Sequence, residues 1–137
     1  MIDRHHMRAA IERFYDEVWG RDRVEIVPRL LATDVKFRGS LGASRVGPEG
    51  FISYLEEVRK AVAGFSTEIE DLVIEPPRAF ARVRFSGTHT GSVLGVPGTG
   101  RRIEWRAGAF FDFTDDGLMK EVWVIADTRE FAAALSC

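Results

Sequence analysis

The chain has 137 residues, 45% of them hydrophobic and 29% charged, with 19 Lys and Arg against 21 Asp and Glu for a formal charge of −2. That is the composition of one ordinary globular domain, and it excludes a disordered chain. No basic face is concentrated enough to neutralise phosphate, no apolar run approaches the roughly 20 residues of a bilayer span, and no apolar signal core precedes Arg8; neither nucleic acid nor membrane is expected, and a cytoplasmic location is. The one cysteine, Cys137, is the last residue, which leaves no internal disulfide and little support for a catalytic thiol.

From Asp3 onward Met7, Ile11, Phe14, Tyr15 and Val18 fall at helical spacing, and Gly20 is placed to stop the helix. Asp22 is a candidate cap for a second helix carrying Val24, Val27, Leu30 and Leu31, in which Pro28 forces a kink or a late start. A brief strand at Val35 to Arg38 and a Gly/Ser loop through Ser44 come next. Gly47-Pro48-Glu49 opens a third helix whose stripe is Phe51, Tyr54, Leu55, Val58 and Val62, with Gly64 as its end. Beyond Gly64 the period turns to alternation, predicting strands at Ser66 to Ile74, Phe80 to Thr90, Arg102 to Phe113 and Leu118 to Ala126. Pro76-Pro77, a Gly-rich loop and Thr114-Asp115-Asp116-Gly117 join them, and a short helix from Thr128 to Leu135 closes the chain. Helices first and sequential strands after them predict one α+β domain, an antiparallel sheet with helices over one face.

Gly87-Thr88-His89-Thr90-Gly91, followed by Gly95-Val96-Pro97-Gly98-Thr99-Gly100-Arg101, resembles the GTHTG...GxPPTGR signature of SnoaL-like polyketide cyclases, also called ester cyclases. Phe14 to Trp19, Gly47 to Phe51 and Gly117-Leu118 through Glu121-Val122-Trp123 to Asp127 resemble further stretches of that family, in its order. The resemblance implies the nuclear transport factor 2 superfamily: a cone of curved antiparallel sheet wrapped on three helices, a deep pocket and often a homodimer. It implies ring closure by aldol chemistry with no metal or organic cofactor, with Asp127 at the position of the proposed general acid/base. The superfamily also holds ketosteroid isomerases and binding modules, so the alternatives are isomerase-like proton transfer and a non-catalytic hydrophobic-ligand binder. Val122, Ala134 and Phe37-Arg38 replace groups that many relatives carry as His, Gln and a His-containing segment.

Ring closure between a ketone and an activated methylene needs a base, donors for the enolate, and exclusion of water. Unbulged alternation puts Glu121, Trp123, Ile125 and Asp127 on one face, which makes Asp127 a candidate base and Glu121 a candidate pocket carboxylate partnered by Arg106 or Arg84. Asp127 and Glu130 also have the spacing of a capping box for the last helix. His89 ends the apolar face of Ala81, Val83 and Phe85 and is a second catalytic candidate or a structural histidine. Tyr15 is an enolate donor or core, and Trp105 and Trp123 are ligand walls or core. His5, His6 and His89 form no metal-ligand set. The expected partner is a small apolar carbonyl compound. The Gly91 to Gly100 loop is a lid or a hairpin tip. Phe110, among Arg106, Gly108 and Asp112, suggests a homodimer across the exposed sheet face.

Overall fold

A computed structural model describes residues 2–40 and 42–136, so Cys137 lies outside the described residues. Helix α1 runs Arg4–Arg13, capped by Asp3, whose side chain accepts the His6 N–H at 2.8 Å. It continues without a break into a π-helical stretch, Phe14–Trp19, in which Phe14, Tyr15, Val18 and Trp19 are all buried. The wider π turn lets these four face the interior together, and such turns often mark functional sites. Asp22 does not cap the second helix, because its own φ of 57° places it in the left-handed region. A 3-10 turn at Val24–Ile26 leads into a single helical turn, α2 (Val27–Leu30), with Pro28 in its first turn, which is the late start that proline predicts.

Strands β1 (Leu31–Arg38) and β2 (Ser44–Val46) come next, then α3 (Gly47–Ala61), β3 (Val62–Glu75), β4 (Arg78–His89), β5 (Arg102–Phe113), β6 (Met119–Ala126) and α4 (Thr128–Ser136). Helix α3 stops before Gly64: Val62 already pairs with His89 in the sheet, and Gly64, at φ 62°, sits in a β3 irregularity between Ala63 and Ser66. The six strands form one curved sheet in the order β2-β1-β6-β5-β4-β3. It is mixed rather than wholly antiparallel, since β1 lies parallel to β6. No hairpin joins those two strands, so no tight turn dictates their relative direction.

The helices cover the inner face of the sheet, and the core lies between them. Phe51 of α3 meets the rings of Phe14, Trp19 and Phe37 at centroid distances of 5.3, 5.7 and 4.9 Å. Phe111 of β5 meets Phe14 and Tyr15 edge-on at 6.0 and 6.2 Å. Arg59 of α3 donates to the Trp19 carbonyl at the open end of the π turn, fastening the first helix to the third. No described helix is long and apolar enough to cross a membrane.

Candidate functional site

The π turn, α3 and the inner sheet face do not close on one another completely. Between them lies a cavity of about 240 Å³. Aromatic rings make its walls: Trp19 stands 5.1 Å from Phe65, Phe65 is 5.5 Å from Phe85, Phe85 is 5.5 Å from Trp105, and Trp105 is 4.5 Å from Phe131 of α4. Phe37 and Tyr54 complete the far side, 5.3 Å apart. Gly39 gives the Tyr54 ring its place, because a Cβ there would overlap the ring and hydroxyl. Glu57, Val58 and Ala61 of α3 and Ser92, Val93 and Leu94 of the β4–β5 loop form a rim where the cavity meets the surface.

Few polar groups border this space. Tyr15 is 2% exposed and 6.3 Å from Phe85, and its hydroxyl makes no hydrogen bond among the described residues. Burial pushes its pKa up, so the hydroxyl stays protonated and available as a donor. Trp105 is similarly buried, and its indole N–H has no acceptor among the described residues. A buried polar group without a partner costs about 1 to 3 kcal/mol. Burial also raises the Tyr54 pKa, against the opposing effect of hydrogen bonding to Ser40. At the rim the Glu57 carboxylate accepts from Arg45 at 3.1 and 3.3 Å. It is the one carboxylate among the described residues that border the cavity.

The rim loop is built as a small hairpin. Val93 and Val96 exchange backbone hydrogen bonds at 3.0 and 2.8 Å across Leu94 and Gly95, whose φ values are 50° and 76°. Two positive φ angles define a type I′ turn, and Gly95 takes its half without a Cβ penalty. The base of the loop is fixed, since Thr90 and Gly91 N–H both donate to the Ala61 carbonyl. At its tip Leu94 is exposed and borders the cavity.

The family model for SnoaL-like polyketide cyclases matches residues 9–135, the span that builds the cavity and the sheet around it. The chain belongs to that family. The SnoaL-like fold is shared at full length by TsrD from Streptomyces laurentii, at 26% identity and a TM-score of 0.88, covering 99% of this chain and 98% of the other. A candidate SnoaL-like polyketide cyclase from Jannaschia sp. CCS1 is similar at 19% identity and a TM-score of 0.86, covering 100% and 99%. AclR from Streptomyces galilaeus, a candidate hydroxylase, is similar at 22% identity and a TM-score of 0.81, covering 97% and 82%. No curated protein matches the chain.

Within this SnoaL-like frame Tyr15 and Trp105 both border the inner cavity, and the other candidates lie elsewhere. Trp123 and Glu121 lie on the outer face of the sheet, where they flank a shallow groove with Arg78, Phe110 and Asp112. The cause is a bulge: Phe113 pairs with Met119 but Asp112 pairs with Glu121, so Lys120 is an extra residue and the alternation reverses. Val122 and Val124 take the inner positions instead. Glu121 therefore needs neither Arg106 nor Arg84; Arg106 holds Glu70 and Glu130 at 3.1 and 2.9 Å, and Arg84 pairs with Glu68.

Asp127 follows the same reversed parity. Its carboxylate is exposed, outside the cavity lining, and accepts the Glu130 N–H at 2.9 Å, which caps α4. Glu130 does not reach back to complete a capping box, because its carboxylate is taken by the Arg106 backbone N–H at 2.6 Å and by the Arg106 side chain. Asp127→Asn is expected to melt within a degree or two of the parent, and Asp127→Ala to lose about 0.5 to 2 kcal/mol, measured by denaturant unfolding. Equal losses in the two variants would show that the cap is not what Asp127 supplies.

His89 is fully buried at the end of β4 but does not border the cavity. Its Nδ1 is 3.1 Å from the Thr99 hydroxyl, whose oxygen also accepts the Arg101 N–H at 3.3 Å, while Nε2 has no partner. That contact ties the far end of the rim loop to β4. Among the described residues no group of three or more His, Cys, Asp or Glu could hold a metal ion. The replacements at Phe37, Arg38 and Val122 are accounted for: Phe37 walls the cavity, Val122 is core, and Arg38 stacks over Trp123 at 4.7 Å on the outer face. Sequence reasoning missed Tyr54, Glu57, Phe65 and Phe85 as cavity residues. The helical stripe held the signal for Tyr54, and Glu57 lies three residues later, on the adjoining flank of the same helix.

Proposed function

We propose that the chain is a ring-closing enzyme acting by aldol chemistry on a small, flat, mostly apolar carbonyl compound held in the inner cavity. The observation that carries this is the Tyr15 hydroxyl, without a partner among the described residues, at the edge of an aromatic-walled space. A donor placed there, away from water, stabilises the oxyanion that forms when a carbon-bound proton leaves. The Glu57 carboxylate at the rim takes that proton, the enolate carbon attacks the second carbonyl to form the new carbon–carbon bond, and the resulting alkoxide recovers the proton. The sum is an isomerisation, and no oxidant or reductant enters. Membership of the SnoaL-like family supports the choice of reaction, and the wall of rings supports the choice of substrate.

Short aromatic poly-β-ketones serve as test substrates, with ring closure followed by absorbance. Glu57→Gln is expected to lower turnover by about 10² to 10⁴, the usual worth of a positioned acid/base, while Asp127→Asn stays within about twofold of the parent. The reverse order would assign the proton transfer to Asp127 and defeat the proposal. A non-catalytic ligand-binding role is favoured by one observation, the apolar residues Phe37 and Val122 on the inner face. It predicts saturable binding with no turnover in the parent.

Two copies are proposed to pair across the outer sheet face. There Phe80, Phe110 and Trp123 stand in one cross-strand row, Phe110 and Ile125 are each 50% exposed, and the Phe80 and Phe110 rings are 5.0 Å apart. Sedimentation at micromolar concentration is expected to give a dimer for the parent and a monomer for Phe110→Glu. A parent that sediments only as a monomer contradicts it.

A further inference from the structure

We infer that Leu94 is a specificity-determining residue: it forms a fixed apolar ledge at the mouth of the inner cavity and meets an apolar chain that extends outward from the part of the ligand held inside. The inference rests on the reading of that cavity as the reactive site and adds what its mouth selects.

Backbone conformation marks the residue out first. Among the described residues other than glycine, positive φ occurs at Asp22 and Leu94. Asp is one of the few side chains that settle in the left-handed region readily, and Leu is not. A type I′ turn is filled far better by Asn-Gly than by Leu94-Gly95, so the turn alone does not account for a leucine here. Exposure marks it out a second time. The other large apolar side chains exposed among the described residues, Val46, Val73, Phe110, Trp123 and Ile125, lie on extended strands and meet no such penalty. Leu94 is 56% exposed at a strained position and borders the cavity. Strain of this kind clusters where a chain contacts its ligand.

The ledge is held still from below. Thr90 Oγ donates to the Lys60 carbonyl at 3.0 Å, beside the bonds from the Thr90 and Gly91 N–H groups to Ala61, so the loop caps the last turn of α3. Gly91 passes so close to that turn that a Cβ would meet the Lys60 carbonyl oxygen at 2.9 Å, and a Cβ on Gly98 would overlap the Thr90 carbonyl. Val93 and Val96 pack against the core. The turn between them therefore presents Leu94 in one place. The mouth has a charged stretch at Glu57, paired with Arg45, and an apolar one at Val93 and Leu94. A ligand that leaves the cavity along the loop meets apolar surface, and each methylene laid there is taken out of water.

Calorimetric titration of the full chain with 1-phenyl-1,3-butanedione, 1-phenyl-1,3-hexanedione and 1-phenyl-1,3-octanedione tests this, because the three differ only in the length of the alkyl end. In the parent the dissociation constant is expected to fall by about fourfold for each two methylenes added, the value for a chain buried on one side. In Leu94→Asn, which supplies a side chain the turn favours, the three constants should lie within about twofold of one another and of the parent's value for the butanedione. The melting temperature of that variant should equal the parent's or exceed it. Leu94→Met, which keeps an apolar side chain, should keep the length dependence. A length dependence that survives Leu94→Asn, a lowered melting temperature with all three compounds weakened alike, or no binding of any of them by the parent at millimolar concentration would each overturn the inference. Failure of the enzyme proposal looks different: the expected length dependence, with no poly-β-ketone cyclised, leaves the ledge standing. Cyclisation by the parent with no length dependence in binding does the opposite.

Discussion

Replacing Tyr15 by Phe is expected to lower turnover by about 10² to 10³ and to leave the protein as stable as the parent, or slightly more so. The two halves of that result have one cause. The hydroxyl makes no hydrogen bond among the described residues, so its removal breaks none of their contacts and takes away a desolvated polar group. The ring keeps its edge-on contacts with Phe14 and Phe111 at 5.2 and 6.2 Å. What disappears is the donor to the oxyanion, and with it the stabilisation specific to the transition state. Steady-state kinetics beside a thermal melt separates the possibilities. A fall in melting temperature with unchanged kcat would make Tyr15 a structural residue.

Phe51→Ala is expected to cost about 3 to 5 kcal/mol, the range for emptying a buried Phe site. For a domain of this length that corresponds to a fall in melting temperature on the order of 10 to 20 °C. Phe51 is fully buried and stands where the first helix, α3 and β1 meet, against Phe14, Trp19 and Phe37. Those same three residues border the cavity, so the new void adjoins the old one and the walls lose their backing. Loss of ligand affinity should therefore accompany the loss of stability. Differential scanning calorimetry with and without 1-phenyl-1,3-butanedione measures both. A fall of less than about 1 kcal/mol would show that the site collapses around the missing ring.

Much of the fold was legible because alternation and helical spacing report burial directly. Arg102–Phe113 reads as a strand with Ile103, Trp105, Ala107, Ala109 and Phe111 inward, and all five are buried. The helix opening at Gly47-Pro48 is equally plain. Strand β6 was not legible in the same way. Its two faces are both apolar, Val122 and Val124 on one, Trp123 and Ile125 on the other, and hydrophobicity alone does not choose between them. Pairing with β5 decides, through a bulge at Lys120 that leaves no mark in composition. One residue of slip moved Glu121, Trp123 and Asp127 from the expected interior to the outside. The parallel pairing of β1 with β6 was hidden for a related reason, since it joins segments some 85 residues apart that no single turn connects. Tyr15 was legible as a buried tyrosine, but its lack of a partner depends on what the other elements leave empty around it. Val62 illustrates competition between signals: it continues the helical stripe of α3, yet as a β-branched residue before Gly64 it opens β3.

The proposed site lies inside the cone, between the π turn and the inner sheet face, and not on the outer groove that holds Glu121 and Trp123. A crystal grown with 1-phenyl-1,3-butanedione distinguishes the two places. Density for the ligand is expected among Phe65, Phe85 and Trp105, with one of its oxygens within about 3 Å of the Tyr15 hydroxyl, a normal O–H···O length. Density in the groove between Arg78, Phe110 and Trp123, with the inner cavity unchanged, would place the site on the outer face and contradict the proposal.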